Sequence, residues 1–432
     1  MITLNSTTSS RKNDNFALIH GPSHVTLTKG CMEVFGKIIE QGESFIVPYG
    51  KTTPVILRSE TQLSDLQVKS GTGGALEHLT ENPIPKLWGD LANQLIMTRE
   101  ALWMIIGGPD TGKTGLITFL VNQCLLKNRN TAIIDSDIGQ SNIGPPTTIG
   151  LAMPSSPEIF LSNHPMKQGY FIGSTSPRSH LLQTCCGVRK LVDSAYDLGA
   201  EIVLLDTSGY IEGSAARALK YHKAVLIEPS SILALQRENE LEHILTSLDS
   251  FAPIVRMDPP FSVQLKNHDI RGTYRETRFK KVFAGARSVT FSFKDVRLLG
   301  TALGYGTSIT AYEKLVKLLN TKIIWAQKNS DRLLLVVQEQ FSTQNLDLLK
   351  EEYNVKQIQF IFYRDLLGLI VGLLAENHTF LTVGLLQDIR FNEKIVIRTT
   401  VNKPEQVKFI TLGRIQLTQD GKQIGRIPVG YL

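Results

Sequence analysis

Cysteine is scarce in this sequence of 432 residues: there are four, Cys31, Cys124, Cys185 and Cys186, and none forms a pair at the spacing of a zinc site. A structural zinc module is thereby excluded, and a reducing compartment is expected, the cytoplasm or, in a eukaryote, the nucleus. No apolar run approaches the roughly 18 residues that would span a bilayer, so no membrane association is expected. The opening MITLNSTTSSRKNDN lacks the apolar stretch and small-residue cleavage site of a secretory leader and reads as a short disordered lead. Repeats and low-complexity tracts are missing as well, which excludes a solenoid. Charge of one sign is not in great excess. The balance of 46 Lys and Arg against 40 Asp and Glu gives a formal +6, a value that a solvated surface and a polyanionic partner both explain.

The chain is longer than a single core usually grows, and its texture changes twice. From Phe16 to Gln67 short strand-like runs alternate with glycine turns, a small all-β unit, and the polar segment at residues 70–88 reads as a connection. From Ala101 to Val255 continuous apolar strands alternate with helical stretches, as in a parallel sheet covered on both faces. Beyond Val289 shorter strands return, with one or two helices. We therefore expect an α/β fold, a P-loop NTPase domain with a mostly parallel sheet at 96–288, flanked by β-rich domains at 1–95 and 289–432.

The glycine-rich loop GGPDTGKT satisfies Gly-x-x-x-x-Gly-Lys-Thr with Gly107, Gly112, Lys113 and Thr114, directly after a strand and before a helix-period stretch. Glycines there let successive amides converge on phosphates at the positive end of the helix. Residues Gly107, Gly108, Pro109, Asp110, Thr111, Gly112, Lys113, Thr114 and Gly115 are thus the nucleotide-binding candidates. Lys113 is expected on the β- and γ-phosphates and Thr114 on a magnesium ion. Gly115 stands where many such loops carry a second hydroxyl.

Asp135 and Asp137, in IIDSDIGQ, are two apart and point to one side if the strand continues. Carboxylates at a strand end beside the cradle hold magnesium or take a proton, so Thr114, Asp137 and Asp135 form the candidate metal set. Asp206 ends another strand, where a sensor and a structural role fit equally. The loop FIGSTSPRSH at 171–180 gathers hydroxyls, an arginine and a histidine, and reads either as a grip for a phosphate or ribose or as a plain Ser/Pro turn. In HDIRGTYRETRFKK, Arg271, Arg275 and Arg278 recur at spacings of four and three and share one helix face, either solvated or closing over a transferring phosphoryl group.

Taken in order, GGPDTGKT, DSDIGQSNIGPP, STSPRSH, DTSGYIEG with ARALKYHK, and the arginine stretch leading into FAGAR resemble the polynucleotide 5′-hydroxyl kinase family. That family includes the RNA kinase of cleavage factor II, the kinase of ribosomal RNA processing and compact archaeal and bacterial relatives. The resemblance implies transfer of the γ-phosphate of ATP, with Mg2+, to single-stranded RNA or DNA 5′-hydroxyl ends. It makes Lys113, Asp137, Arg271 and Arg275 the catalytic candidates, with Arg278 a less certain third lid arginine. It places Thr175 and Pro177 in the loop that clasps the acceptor's terminal nucleotide; with Gln140 of the Asp-x-Gly-Gln stretch and His180 of the same loop they are the acceptor candidates. Two rival readings remain: a nucleotide-binding scaffold of an RNA-processing complex, and a partitioning or maturation ATPase or GTPase, which accounts for neither STSPRSH nor the arginines. The guanine-selective Asn-Lys-x-Asp motif is not apparent, so ATP is expected, with other nucleoside triphosphates left open.

Overall fold

The computed structural model describes residues 15–58, 60–263, 265, 268–428 and 430–432, so the lead at 1–14 lies outside the described residues. The chain folds as two compact units, one of residues up to 137 with 151–167 and 188–274, the other of 138–150, 168–187 and 275–432.

In the first unit, period-two patterning near the amino terminus produces two antiparallel sheets. Five strands run in the order Lys37–Glu40, Cys31–Val34, Thr52–Arg58, Asn15–His20, Ala75–Leu79, and three in the order Ser44–Val47, Ser23–Leu27, Leu66–Ser70. Ala17, Ile19, Met32 and Leu57 of the larger sheet share one core with Val25, Leu27 and Val47 of the smaller, which makes a sandwich. The segment expected as a plain connection is partly structured. Ala75–Leu79 pairs with Asn15–His20, and a helix, Lys86–Met97, begins within it. That strand is an exposed edge and has no buried face, so no hydrophobic alternation marks it in the sequence.

The same unit holds five parallel strands in the order Thr131–Ser136, Ile202–Thr207, Ala101–Gly107, Ser231–Leu235, Ile254–Met257. The first four are buried at every residue, which is why each reads as an unbroken apolar run. Later strands lie on both sides of Ala101–Gly107, so its carboxyl end is a topological switch point, where open α/β sheets bind ligands. The register sets Asp135 beside Asp206 and Asp206 beside Ile105. Helix Lys113–Leu126 starts at that switch point. Its Asn122 Nδ2 donates to the carbonyls of Phe35 at 2.8 Å and Glu158 at 2.9 Å, which ties it to the sandwich. At Gly115 the packing is tight: a Cβ would lie 3.2 Å from the Phe35 ring, so a hydroxyl side chain there would require Phe35 to give by a few tenths of an ångström.

In the second unit, one sheet runs Arg287–Ser292, Lys394–Thr399, Phe380–Arg390, Leu369–Leu374, Phe409–Leu417, Arg297–Leu299, with Gln423–Arg426 paired to Phe409–Leu417. A smaller sheet runs Thr307–Ser308, Ile323–Asn329, Arg332–Val337, Gln357–Phe362. Its last two strands are parallel, with helix Leu346–Tyr353 between them in the chain. The expected β-rich region with few helices is present, and the parallel crossover is an addition to it. The early stretches 138–150 and 168–187 belong to this unit. Phe171 stacks on Phe380 at 6.5 Å between ring centroids, and the Arg414 amide donates to the Gly173 carbonyl at 2.8 Å. A Cβ on Gly173, whose φ is +77°, would sit 2.6 Å from the Gly413 Cα, so two glycines allow the loop and the sheet to meet.

Candidate active site

The cradle is built by backbone geometry. After Gly107 the chain turns through positive φ at Asp110, 52°, and Gly112, 93°. A Cβ on Gly107 would meet Thr111 Oγ1 at 2.5 Å and the Leu235 carbonyl at 2.8 Å, so only glycine fits. Lys113 Nζ donates to the carbonyls of Gly107 at 2.9 Å and Gly108 at 2.6 Å. Burial lowers the Lys113 pKa from the ordinary lysine value, and Asp206, Asp137, Asp110 and Glu240 offset part of that pull. Arg237, which sequence reasoning missed, donates to the carbonyls of Pro109 and Asp110 and so fastens the loop from outside.

Beside the cradle, Thr114 Oγ1 donates to Asp206 Oδ2 at 3.3 Å, while the buried Asp206 Oδ1 has no hydrogen-bond partner among the described residues. Burial pushes the Asp206 carboxyl up to about 6, with Lys113 opposing and Asp137 adding to the shift. Asp206, for which a sensor and a structural role were equally open, thus stands against the last residue of the Gly-Lys-Thr sequence. Asp135 is fully buried, and its Oδ1 accepts the Asp137 amide at 3.0 Å. The strand ends at Ser136, so the condition for both carboxylates to share a side is not met, and Asp135 shapes the turn that carries Asp137.

Under these carboxylates lie two fully buried lysines of helix Gly213–Ile227. Lys223 Nζ donates to Ser136 Oγ at 2.8 Å, and that hydroxyl donates to the Asp206 carbonyl at 2.8 Å. Lys220 Nζ donates to Thr207 Oγ1 at 2.9 Å and the Ser208 carbonyl at 2.7 Å. Burial, then Lys223 and Lys113, hold the Lys220 pKa well below the ordinary value. A signal for both existed in ARALKYHK: Ala216, Leu219, Ala224 and Ile227 form the buried stripe, and Lys220 and Lys223 fall on it.

The arginine stretch is a helix, His268–Val282. Arg271 Nη2 pairs with Asp110 Oδ2 at 2.6 Å, and Lys51 Nζ lies over the Tyr274 ring, 5.3 Å from its centroid. These contacts belong to the first unit, whereas Arg275 and Arg278 belong to the second. Arg278 Nη2 donates to the carbonyls of Asn142 and Gly144 at 2.7 and 2.8 Å, a backbone-holding role.

The acceptor candidates Gln140, Thr175, Pro177 and His180 all lie in the second unit. The Thr147 carbonyl accepts the amides of Ile172 at 2.9 Å and Gly173 at 3.1 Å, which joins the segment carrying Gln140 to the loop carrying Thr175. Gln140 Nε2 donates to the Gly139 carbonyl at 3.2 Å. Pro177 is buried and opens a short 3-10 turn, and the His180 carbonyl accepts Thr184 Oγ1 at 2.6 Å at the start of helix Leu181–Asp197. His180 is buried; desolvation first, then Arg414 and Arg426, push its pKa down to about 4.

Residues 107–285 match the family model of the mRNA cleavage and polyadenylation factor CLP1 P-loop. A polyribonucleotide 5′-hydroxyl-kinase of Thermococcus kodakarensis is 30% identical over 74% of this chain and 90% of its own length. One of Pyrococcus furiosus is 32% identical over 77% of this chain and 92% of its own. A solved structure of Clp1p with Pcf11p superposes with a TM-score of 0.56 at 12% identity, covering 93% of this chain and 96% of that one, and so shares the fold. With the P-loop sheet, its flanking β-rich regions and relatives of this identity over most of its length, the chain belongs to the polyribonucleotide 5′-hydroxyl-kinase family.

Proposed function

We propose that this protein transfers the γ-phosphate of ATP to the 5′-hydroxyl end of a polynucleotide, RNA or DNA. The observation that carries the reading is the seating of Arg271, from the arginine helix, on Asp110 of the cradle itself. A nucleotide-binding scaffold has no need of a cation beside the phosphate loop, whereas phosphoryl transfer gains most from charges aimed at the transferring group.

The residues present fit a divalent cation. Asp206 Oδ1 is a buried carboxylate oxygen without a hydrogen-bond partner among the described residues, and the Thr114 hydroxyl is bonded to the other oxygen of the same group. Among the described residues no three His, Cys, Asp or Glu side chains are grouped as a self-sufficient metal site, which suits an ion that draws further ligands from phosphates and water. Thr114 and Asp206, with Asp137 nearby, would hold magnesium, which when bound would offset the negative charge of the triphosphate. Lys113 and the loop amides bind the phosphates. Asp137 accepts the proton of the attacking hydroxyl as its oxygen bonds to the γ-phosphorus and the bond to the β-bridging oxygen breaks, releasing ADP. Arg271 and Arg275 offset the charge that spreads over the transferring group. Gln140, Thr175, Pro177 and His180 hold the terminal nucleoside.

Incubation with γ-labelled ATP and 5′-hydroxyl oligonucleotides of RNA and DNA, with 5′-phosphorylated strands as controls, tests this. Label is expected on the 5′-hydroxyl strands alone. Label released only as inorganic phosphate would make the protein an ATPase, and ATP binding without any turnover would leave the scaffold.

A further inference from the structure

The loop that carries Thr175 is built on the strands of the second unit, and those strands bring two arginines to it. Arg426, on the edge strand Gln423–Arg426, donates from Nη2 to Thr175 Oγ1 at 3.0 Å. Arg414, on Phe409–Leu417, is held through its Nη1 on the Pro428 carbonyl at 2.6 Å, while its amide bonds the carbonyl of Gly173 at 2.8 Å. Among the described residues neither guanidinium forms an ion pair. Arg426 is exposed and commits one donor of its five to Thr175, so most of its hydrogen-bonding capacity faces outward.

Both arginines act on His180, which burial and these two charges keep neutral at physiological pH. Positive charge is thus concentrated beside one loop, and among the described residues no ion pair compensates it. An arrangement of this kind raises the energy of the free protein and is relieved by an anion. Guanidinium groups recognise phosphate in particular, by paired N–H donors in a planar fork.

We propose that Arg414 and Arg426 form a subsite for an internucleotide phosphate of the acceptor strand, on the 3′ side of the nucleoside held by Thr175 and Pro177. The proposal rests on the kinase reading for the identity of the strand. It predicts a preference for polymers over single nucleosides: a nucleoside alone would engage the loop but leave the two arginines uncompensated. It also predicts weak sequence preference, since the contact is to the backbone.

The test is equilibrium binding of a fluorescent 5′-hydroxyl oligoribonucleotide across a salt series, with transfer measured on the same samples. Arg426→Ala is expected to weaken binding roughly five- to tenfold at low salt and to lower the slope of log affinity against log salt by about 0.7, the value for one lost phosphate contact on a single strand. Arg426→Lys should keep the slope. Arg414→Gln should act like Arg426→Ala, and ATP affinity should not change in any variant. An unchanged slope in Arg426→Ala would overturn the subsite. So would equal weakening by Arg426→Ala and Arg426→Lys at every salt concentration, because that pattern belongs to the lost bond on Thr175 alone. Since Arg426 is exposed, its variants decide the matter even if Arg414→Gln misfolds. A protein that binds the strand with the expected slope change but transfers no label would retain the subsite and refute the kinase reading, so the two failures are distinct.

Discussion

At the scale of single residues, the site shows how much chemistry depends on which side chain is buried with which. Asp137→Asn should lower turnover by roughly a hundredfold or more while ATP affinity changes little, because the amide fills the same space but accepts no proton. Asp135→Ala should instead lower stability, since it removes the Oδ1 that accepts the Asp137 amide. Steady-state kinetics and urea unfolding of both variants separate the two, and reversal of the pattern would move the proton acceptor to Asp135. Lys220→Met should destabilise by roughly 2–4 kcal/mol, the range for removing one partner from a buried charged network, because Thr207 Oγ1 and the Ser208 carbonyl lose their donor. A urea midpoint equal to that of the unmodified protein would show that the network contributes nothing. The cradle was legible in the sequence because its chemistry is local: Gly107, Gly112, Lys113 and Thr114 lie within eight positions of one another. Of Lys220 and Lys223 only their place on an apolar helix stripe was legible, since their partners, Thr207, Ser208 and Ser136, come from strand ends elsewhere in the chain.

At the scale of elements, the arginine helix and the acceptor loop each hang on a few contacts. Replacing Arg271 by Ala should cut turnover by about a hundredfold, as expected when a cation stabilising the transferring phosphoryl group is lost, with the Michaelis constant for ATP nearly unchanged. A solvated helix face predicts no change, and an RNA-holding role predicts a raised Michaelis constant for the oligonucleotide alone. For the acceptor loop, Gly173→Ala adds a Cβ where 2.6 Å separates it from the Gly413 Cα and imposes a left-handed φ on alanine. The loop should lift from its seat, which would raise the Michaelis constant for the oligonucleotide and speed amide exchange at 172–180, with ATP binding kept. Unaltered exchange there would show that the close approach is dispensable. The parallel strands and the arginine helix were readable because burial on both faces and a 3.6-residue period leave unbroken patterns. Ala75–Leu79 was not, because an exposed edge strand is specified by its partner Asn15–His20 and not by its own side chains. The seat of the acceptor loop was equally hidden, since Gly173 and Gly413 meet across a long stretch of sequence.

At the scale of the whole molecule, the residues proposed to bind ATP and most of those proposed to bind the acceptor belong to different compact units. Hydrogen exchange on the full chain should therefore separate the two ligands. ATP with magnesium should slow exchange at 107–115 and 135–137, and at a hundredfold excess over its dissociation constant should add roughly 2.7 kcal/mol to stability by mass action. A 5′-hydroxyl oligonucleotide should slow exchange at 172–180 and around 414 and 426, and its failure to protect any of these would remove the acceptor loop from the site. The meeting of Gly173 with Gly413 also has a consequence in time. The two positions are 413 − 173 = 240 residues apart, so at roughly 5–20 residues per second the ribosome makes the acceptor loop about 10–50 s before the surface it settles on. Within that interval Ile202–Thr207 and Ser231–Leu235, the strands on either side of the one that leads into the phosphate loop, are made as well, so the parallel sheet of the first unit is fully synthesised while the loop at 172–180 still lacks its seat.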